Sequence, residues 1–212
     1  MQPRISIITI CYNAASTITR TLRSVSAQTY PNIQYLIIDG ASKDNTLELV
    51  RELAPEAEVY SERDKGIYDA MNKGLDRATG DYVWYVNAGD ALVSPTTVED
   101  LVRATCTGDS LPDVLYGDTR LIDAEGHDLG LRRLRPPHQL DWRSFRAGML
   151  VCHQAFVAKR TISPHYDLSY RFSADVDWCI RVLKEAKTTA FYPEPISASA
   201  PSRAVRSSPS YA

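Results

Sequence analysis

The stretch Asp81–Asp90, DYVWYVNAGD, decides how the rest of the chain is read. Tyr82–Val86 is an unbroken apolar run of aromatic and β-branched residues, which suits a strand buried in a mixed or parallel sheet. The run stops at Asn87-Ala88-Gly89-Asp90. Open α/β sheets bind ligands beyond the carboxyl ends of their strands, so these polar groups would face a crevice. The small residues permit close backbone approach, and Asp90 offers a carboxylate to a hard cation or a metal-bound phosphate. A strand followed by a Gly-Asp turn would read the same way in isolation, so the neighbouring segments decide.

Toward the N-terminus, Ile5–Ile10 is a compact β-rich run, followed by Cys11-Tyr12-Asn13. Ile18, Leu22 and Val25 then share a helical face, and Pro31 closes that segment. Ile33–Ile38 is a second apolar run, ending in Asp39-Gly40-Ala41-Ser42. Ser42 or Asp44 suits the cap of a helix carrying Leu47, Val50 and Leu53. Val59 and Tyr60 suggest a short third strand. The polar loop Glu62–Gly66 and a helix with Ile67, Ala70, Met71 and Leu75 lead through Gly80 back to the organising strand. This β-α-β-α-β-α-β order with short connections predicts a largely parallel sheet with right-handed crossovers.

Beyond Asp90 the rhythm changes. Ser94-Pro95 reads as a cap and first-turn proline of a helix through Val98, Leu101 and Val102. Val114–Tyr116 and Thr119–Ile122 read as two short strands, and Asp123–Gly126 as a turn with a return strand near His127–Leu131. Phe156 and Val157 suggest another strand, and Ala174–Glu185 has helical spacing. Five arginines between Arg132 and Arg146 make a locally basic segment, either a solvated loop or a face toward anionic lipid. Residues 1–93 form a nucleotide-fold half and 94–196 pack closely on it. Ser197–Ala212, rich in Ser, Pro and Ala, reads as a disordered tail.

The chain has 212 residues and a formal charge of -2, so charge gives no case for nucleic acid. Cys11, Cys106, Cys152 and Cys179 are widely spaced without a CxxC, which suits reduced thiols in a cytoplasmic protein. No apolar run has transmembrane length, which leaves peripheral membrane contact open.

Three polar clusters fall at predicted strand ends: Thr9 with Tyr12 and Asn13, Asp39 with Ser42 and Asp44, and Asn87 with Asp90. Parallel topology gathers them on one edge. There is no GxGxxG and no GxxxxGK[ST], so a dinucleotide fingerprint and a P-loop are both unsupported. What remains is a nucleotide held by carboxylate, aromatic and backbone contacts, or ordinary capping of turns.

Five stretches resemble family 2 glycosyltransferases of the GT-A fold, in that family's order. They are ISIITICYN at Ile5–Asn13, SVSAQTYPNIQYLIIDGASKDNT at Ser24–Thr46, SERDKGIYDAMNKGLDRATGDYVWYVNAGD at Ser61–Asp90, GMLVCHQAF at Gly148–Phe156 and SADVDW at Ser173–Trp178. The resemblance implies an α/β GT-A catalytic domain, with helices on both faces of a mostly parallel central sheet and a small antiparallel element. It implies inverting transfer from a nucleotide-sugar, by default a UDP-sugar, to a glycan or lipid-linked acceptor in cell-envelope polysaccharide synthesis. By the same carry-over, Asp39 contacts the nucleoside, Tyr12 lies against the base with Thr9 nearby, and Asp64 helps to enclose the nucleotide. Asp90, with Asn87 beside it, stands at the Mn²⁺ or Mg²⁺ position. Asp175 is the catalytic base, with Asp177 its competitor. His153 and Gln154 line the acceptor side or brace the sugar pocket. Contact with the inner face of a membrane and a homodimer are both compatible with this reading.

Two departures stand out. Many relatives carry an acidic doublet where this chain has Gly89-Asp90, and no lid element is evident after Lys187. A degenerate glycan- or nucleotide-binding subunit is therefore an alternative. A sugar nucleotidyltransferase fits less well, because ICYNAAS at Ile10–Ser16 has no basic residue to activate a phosphate.

Overall fold

The computed structural model describes residues 2–200. The first half alternates as expected: β1 (Ile5–Cys11), α1 (Ile18–Ser26), β2 (Ile33–Asp39), α2 (Thr46–Leu53), β3 (Glu58–Ser61), α3 (Ile67–Arg77) and β4 (Tyr82–Tyr85). The second half adds β5 (Ala91–Leu92), α4 (Thr97–Thr105), β6 (Val114–Ile122), β7 (Asp128–Leu131), β8 (Phe156–Lys159), α5 (Ala174–Glu185) and β9 (Thr189–Ser199). The strands form one sheet in the order β3-β2-β1-β4-β8-β6-β9-β5, with β7 on β6.

β3, β2, β1 and β4 are mutually parallel. β8 runs antiparallel to both β4 and β6, so β6 points the same way as β4. The sheet is buried on two faces. On one, Cys11 and Ile37 pack with Ile18, Leu22 and Val50 of α1 and α2. On the other, Ile8, Leu36 and Ile38 join a larger core with Ala70, Met71 and Leu75 of α3. Two covered faces explain why β1, β2 and β4 read as continuous apolar runs rather than alternating ones.

Three expectations change. The two short strands around Gly117 are one strand, β6, whose pairing with β9 shifts register on either side of Asp118. Helix α4 begins at Thr97, two residues past the expected first-turn proline. Ser197–Ser199, assigned to a tail, continue β9 beside β6; residues 201–212 of that tail lie outside the described residues. β9 was illegible because it contains Pro193 and Pro195, which a strand tolerates at irregularities. Pro195 indeed stands opposite Asp118, where the register shifts.

Candidate active site

Two loops after parallel strands are locked to each other. Asn13, with φ +46°, follows β1, and Ala41, with φ +63°, follows β2. The Asn13 N–H donates to Ser42 Oγ at 2.8 Å, and the Lys43 N–H to Asn13 Oδ1 at 2.9 Å. The Ala15 N–H donates to Asp44 at 3.0 Å and the Ala14 N–H to Thr46 Oγ1 at 2.8 Å. Side chains thus satisfy turn amides that no ladder reaches.

Beyond this clasp lies a cavity of about 340 Å³, within the size range of ligand sites, lined by Tyr12, Gly40, Ala41, Lys43, Arg63, Asp64 and Gly66. Burial raises the pKa of Asp64, while the Gly66 N–H, 2.9 Å from Oδ1, pulls it back. Gly40 has no room for a side chain: a Cβ there would stand 2.6 Å from Asp64 Oδ2 and 3.2 Å from the Tyr12 ring. Gly40→Ala should therefore turn the Asp64 carboxylate out of the cavity. We expect a stability change of only about 1 kcal/mol, because a carboxylate can rotate. We expect a larger loss in nucleotide affinity, roughly tenfold; titration calorimetry beside urea denaturation separates the two, and wild-type affinity would contradict it.

Tyr12 and Asp64 both line this cavity. Asp39 is fully buried beneath the cavity floor rather than on its lining. Its carboxylate accepts from the Ser42 N–H at 3.0 Å, from Ser61 Oγ at 2.6 Å and from the Ser42 hydroxyl. Thr9 is also interior: its hydroxyl donates to the Val86 carbonyl at 2.7 Å and lies 3.2 Å from Tyr35 Oη. Thr9 therefore does not line the cavity; its side chain belongs to the sheet's packing. Lys43 and Arg63 were missed; the signal was their place in the loops after β2 and β3, where cations can meet phosphate.

Beyond β4 the chain turns sharply. The Asp90 N–H donates to the Asn87 carbonyl at 2.9 Å. Thr21 of α1 pins the turn, accepting from the Gly89 N–H at 3.0 Å and donating to the Asp90 carbonyl at 2.6 Å. Gly89 has φ +101°, a left-handed value that disfavours a side chain, so this backbone would strain the acidic residue many relatives carry. The Asp90 carboxyl is only 9 % exposed, and burial raises its pKa to about 7 despite Ser199, Gln154 and the charge of Arg20. Among the described residues, Oδ1 of Asn87 in the same turn is buried without a hydrogen-bond partner. A desolvated carboxyl and an unpartnered amide oxygen are the kind of hard oxygen donors that a divalent cation takes. Asp123, Glu125 and His127 also bring ligand atoms within 4.8 Å of one another at the β6–β7 turn. There, however, His127 Nδ1 already lies 2.9 Å from Asp123.

Asp175 sits in the first turn of α5, and Tyr68 Oη donates to its Oδ1 at 3.3 Å. Asp177 is engaged elsewhere, paired with Arg181 at 2.7 Å. The tight turn His153–Ala155 links the two acids: Gln154 bears on Asp90, and His153 feels the charge of Asp175. The turn His153–Ala155 thus lies within electrostatic reach of both acids.

His153 is an interior side chain. It is 3 % exposed, with Nε2 2.7 Å from Tyr166 Oη and its ring beside Tyr85 and Trp178. Burial lowers its pKa to about 4, against a smaller upward pull from Asp175. The folded state thus binds fewer protons at this site than the unfolded chain between about pH 6.5 and 4. Its contribution is complete above the upper value and is lost as pH falls. By pH 5 the cost should reach about 2 kcal/mol. Urea denaturation at pH 7.5 and 5 checks this: His153→Gln should remove that part of the slope, and an unchanged slope would contradict it.

A family model described as "Glycosyl transferase family 2" matches residues 6–163. An uncharacterized glycosyltransferase of Mycobacterium tuberculosis is 33% identical over 186 residues, spanning 84% of this chain and 68% of the relative. A PGL/p-HBAD biosynthesis glycosyltransferase of Mycobacterium bovis is 32% identical over 206 residues, spanning 93% and 76%. Among solved structures, S. aureus TarS 1-349 in complex with UDP-GlcNAc superposes with a TM-score of 0.75 at 16% identity, over 93% of this chain and 58% of that one. A mannosyltransferase from Pyrobaculum calidifontis in complex with GDP-Man and Mn2+ gives 0.70 at 18%, over 96% and 59%. The chain thus spans under two thirds of these structural neighbours. The sheet is that of the GT-A glycosyltransferases, and with a family model matching most of its length, the chain belongs to glycosyltransferase family 2.

Proposed function

We propose that this chain is an inverting glycosyltransferase that moves a sugar from a nucleotide-sugar, a UDP-sugar in the first instance, to a hydroxyl of a glycan or lipid-linked acceptor in cell-envelope polysaccharide synthesis. The observation that supports the reading is the cavity lined by Tyr12, Lys43, Arg63 and Asp64, with Tyr68, two residues beyond its lining, hydrogen-bonded to Asp175. The chain through the end of β9 at Ser199 acts as one catalytic domain, working in the cytoplasm against the membrane's inner face. No described helix is long and apolar enough to cross a membrane.

In this reading the nucleoside enters the cavity between Tyr12 and Asp64. Asp39 acts from below, holding Ser42 and so the shape of the loop. Lys43 and Arg63 face the negative charge of the donor. The acceptor hydroxyl attacks the anomeric carbon from the side opposite the diphosphate. Its proton passes to the Asp175 carboxylate as the new C–O bond forms and the bond to phosphate breaks. Asp90, with Asn87 at hand, would hold Mn²⁺ or Mg²⁺, which when bound neutralises charge gathering on the leaving diphosphate.

A thermal-shift screen of UDP-, GDP- and dTDP-sugars with Mn²⁺ or Mg²⁺, followed by product analysis, tests the proposal. Ligands that bind the folded state raise its melting temperature. Stabilisation and transfer with inverted anomeric configuration support it. Binding without turnover would favour a degenerate subunit, and retained configuration would overturn the mechanism.

A further inference from the structure

We propose that Tyr68 is the positioning residue of the Asp175 carboxylate and that it ties this base to the loop bordering the nucleotide cavity. The proposal rests on the reading of Asp175 as base. Arg63, Asp64 and Gly66 line the cavity, and Tyr68 follows two residues later in the first turn of α3. From there its hydroxyl reaches across the chain to Asp175 Oδ1, while the Ala174 and Asp175 N–H groups act on the same phenol oxygen.

The N-terminus of α5 needs this partner. Ser173, the residue before the helix, is left-handed with φ +66°, and its side chain makes no capping bond. The first amides of a helix have no partner within it. At 3.3 Å the Tyr68–Asp175 contact is at the long end of hydrogen bonding, so packing around the ring is what holds it in place. The Tyr68 ring stacks on Tyr166 at 5.8 Å and 17°, and Tyr166 stacks on Trp178 of α5 at 5.1 Å and 10°. A shift at the start of α3 would therefore move the group that aims Asp175.

The titratable groups that feel the charge of Asp175 are Tyr68 from α3, His153 from the turn before β8, Tyr166 from the segment before α5, and Cys179 from α5 itself. Burial holds His153 neutral and disfavours ionisation of Tyr166 and Cys179. Among these four, Tyr68 is the hydroxyl that donates directly to the carboxylate.

Tyr68→Phe keeps the ring and its stacking and deletes only the hydroxyl. Deleting a hydrogen bond to a charged group should lower kcat roughly ten- to hundredfold, with donor Kd unchanged. The loss should fall on kcat alone, with acceptor KM near wild type, the split expected of a group made effective only in the transition state. Thermal unfolding run alongside reports whether the aromatic stack survives. An unchanged kcat, or a lower kcat accompanied by an equal weakening of donor or acceptor binding, would overturn the proposal. Asp175→Asn serves as the reference: if that variant keeps transferring sugar, the base reading fails first and this one with it. If it is inactive while Tyr68→Phe behaves as wild type, only the positioning role falls.

Discussion

Asp175→Asn should reduce sugar transfer by roughly 10²–10⁴ while leaving nucleotide-sugar affinity within twofold of wild type. The amide has the carboxylate's shape and still offers an oxygen to Tyr68, so the start of α5 should be undisturbed. What it lacks is the basicity to take a proton from the acceptor. Asp177→Asn is the informative companion, because that carboxylate is spent on Arg181 one helical turn away. It should cost about 1 kcal/mol of stability or less, as ion pairs still partly open to solvent usually do, and leave kcat near wild type. Single-turnover rates with saturating donor, alongside calorimetric donor titration, separate the two variants. If Asp177→Asn is the inactive one, the roles are reversed.

The second large effect concerns Asp90. Asp90→Asn should abolish the response of the melting temperature to Mn²⁺ and Mg²⁺ and lower turnover at least a hundredfold, since charge stabilisation by a bound ion is worth several kcal/mol. The variant should nonetheless fold. In the ion-free protein, burial already disfavours the Asp90 anion, and a neutral amide of the same shape removes that penalty. Retained folding with lost metal response identifies Asp90 as a ligand. A wild-type response to both ions would remove Asp90 from the metal site and leave the exposed Asp123–Glu125–His127 trio as the next place to look.

Much of this was legible in the amino acids. β1, β2 and β4 announced themselves because a sheet covered on both faces demands apolar residues at every position. The polar stops after them were legible because parallel strands deliver their ends to one edge. The local use of each stop was not. Asp39 and Thr9 carry the chemistry of ligand contacts, yet a hydroxyl or carboxylate at a strand end can as well turn inward. Here Ser42, Ser61 and the Val86 carbonyl engage them. Gly89 looked like a missing carboxylate, whereas its backbone conformation accounts for the residue. Tyr68 gave no signal, because the helix it meets begins more than a hundred residues away.

The sheet also crosses the division drawn at residue 93. β4 is hydrogen-bonded to β8 along Tyr82–Trp84, and the short β5 is paired only with β9 among the described residues. Half of the pairing of β4 is therefore supplied by chain that arrives some seventy residues later, so the two parts of the chain share one continuous sheet. Grafting the front of this chain onto the back of a relative would leave a raw strand edge in the middle of the molecule. Acceptor preference is better re-engineered through the loops rimming the shared edge than by exchanging halves.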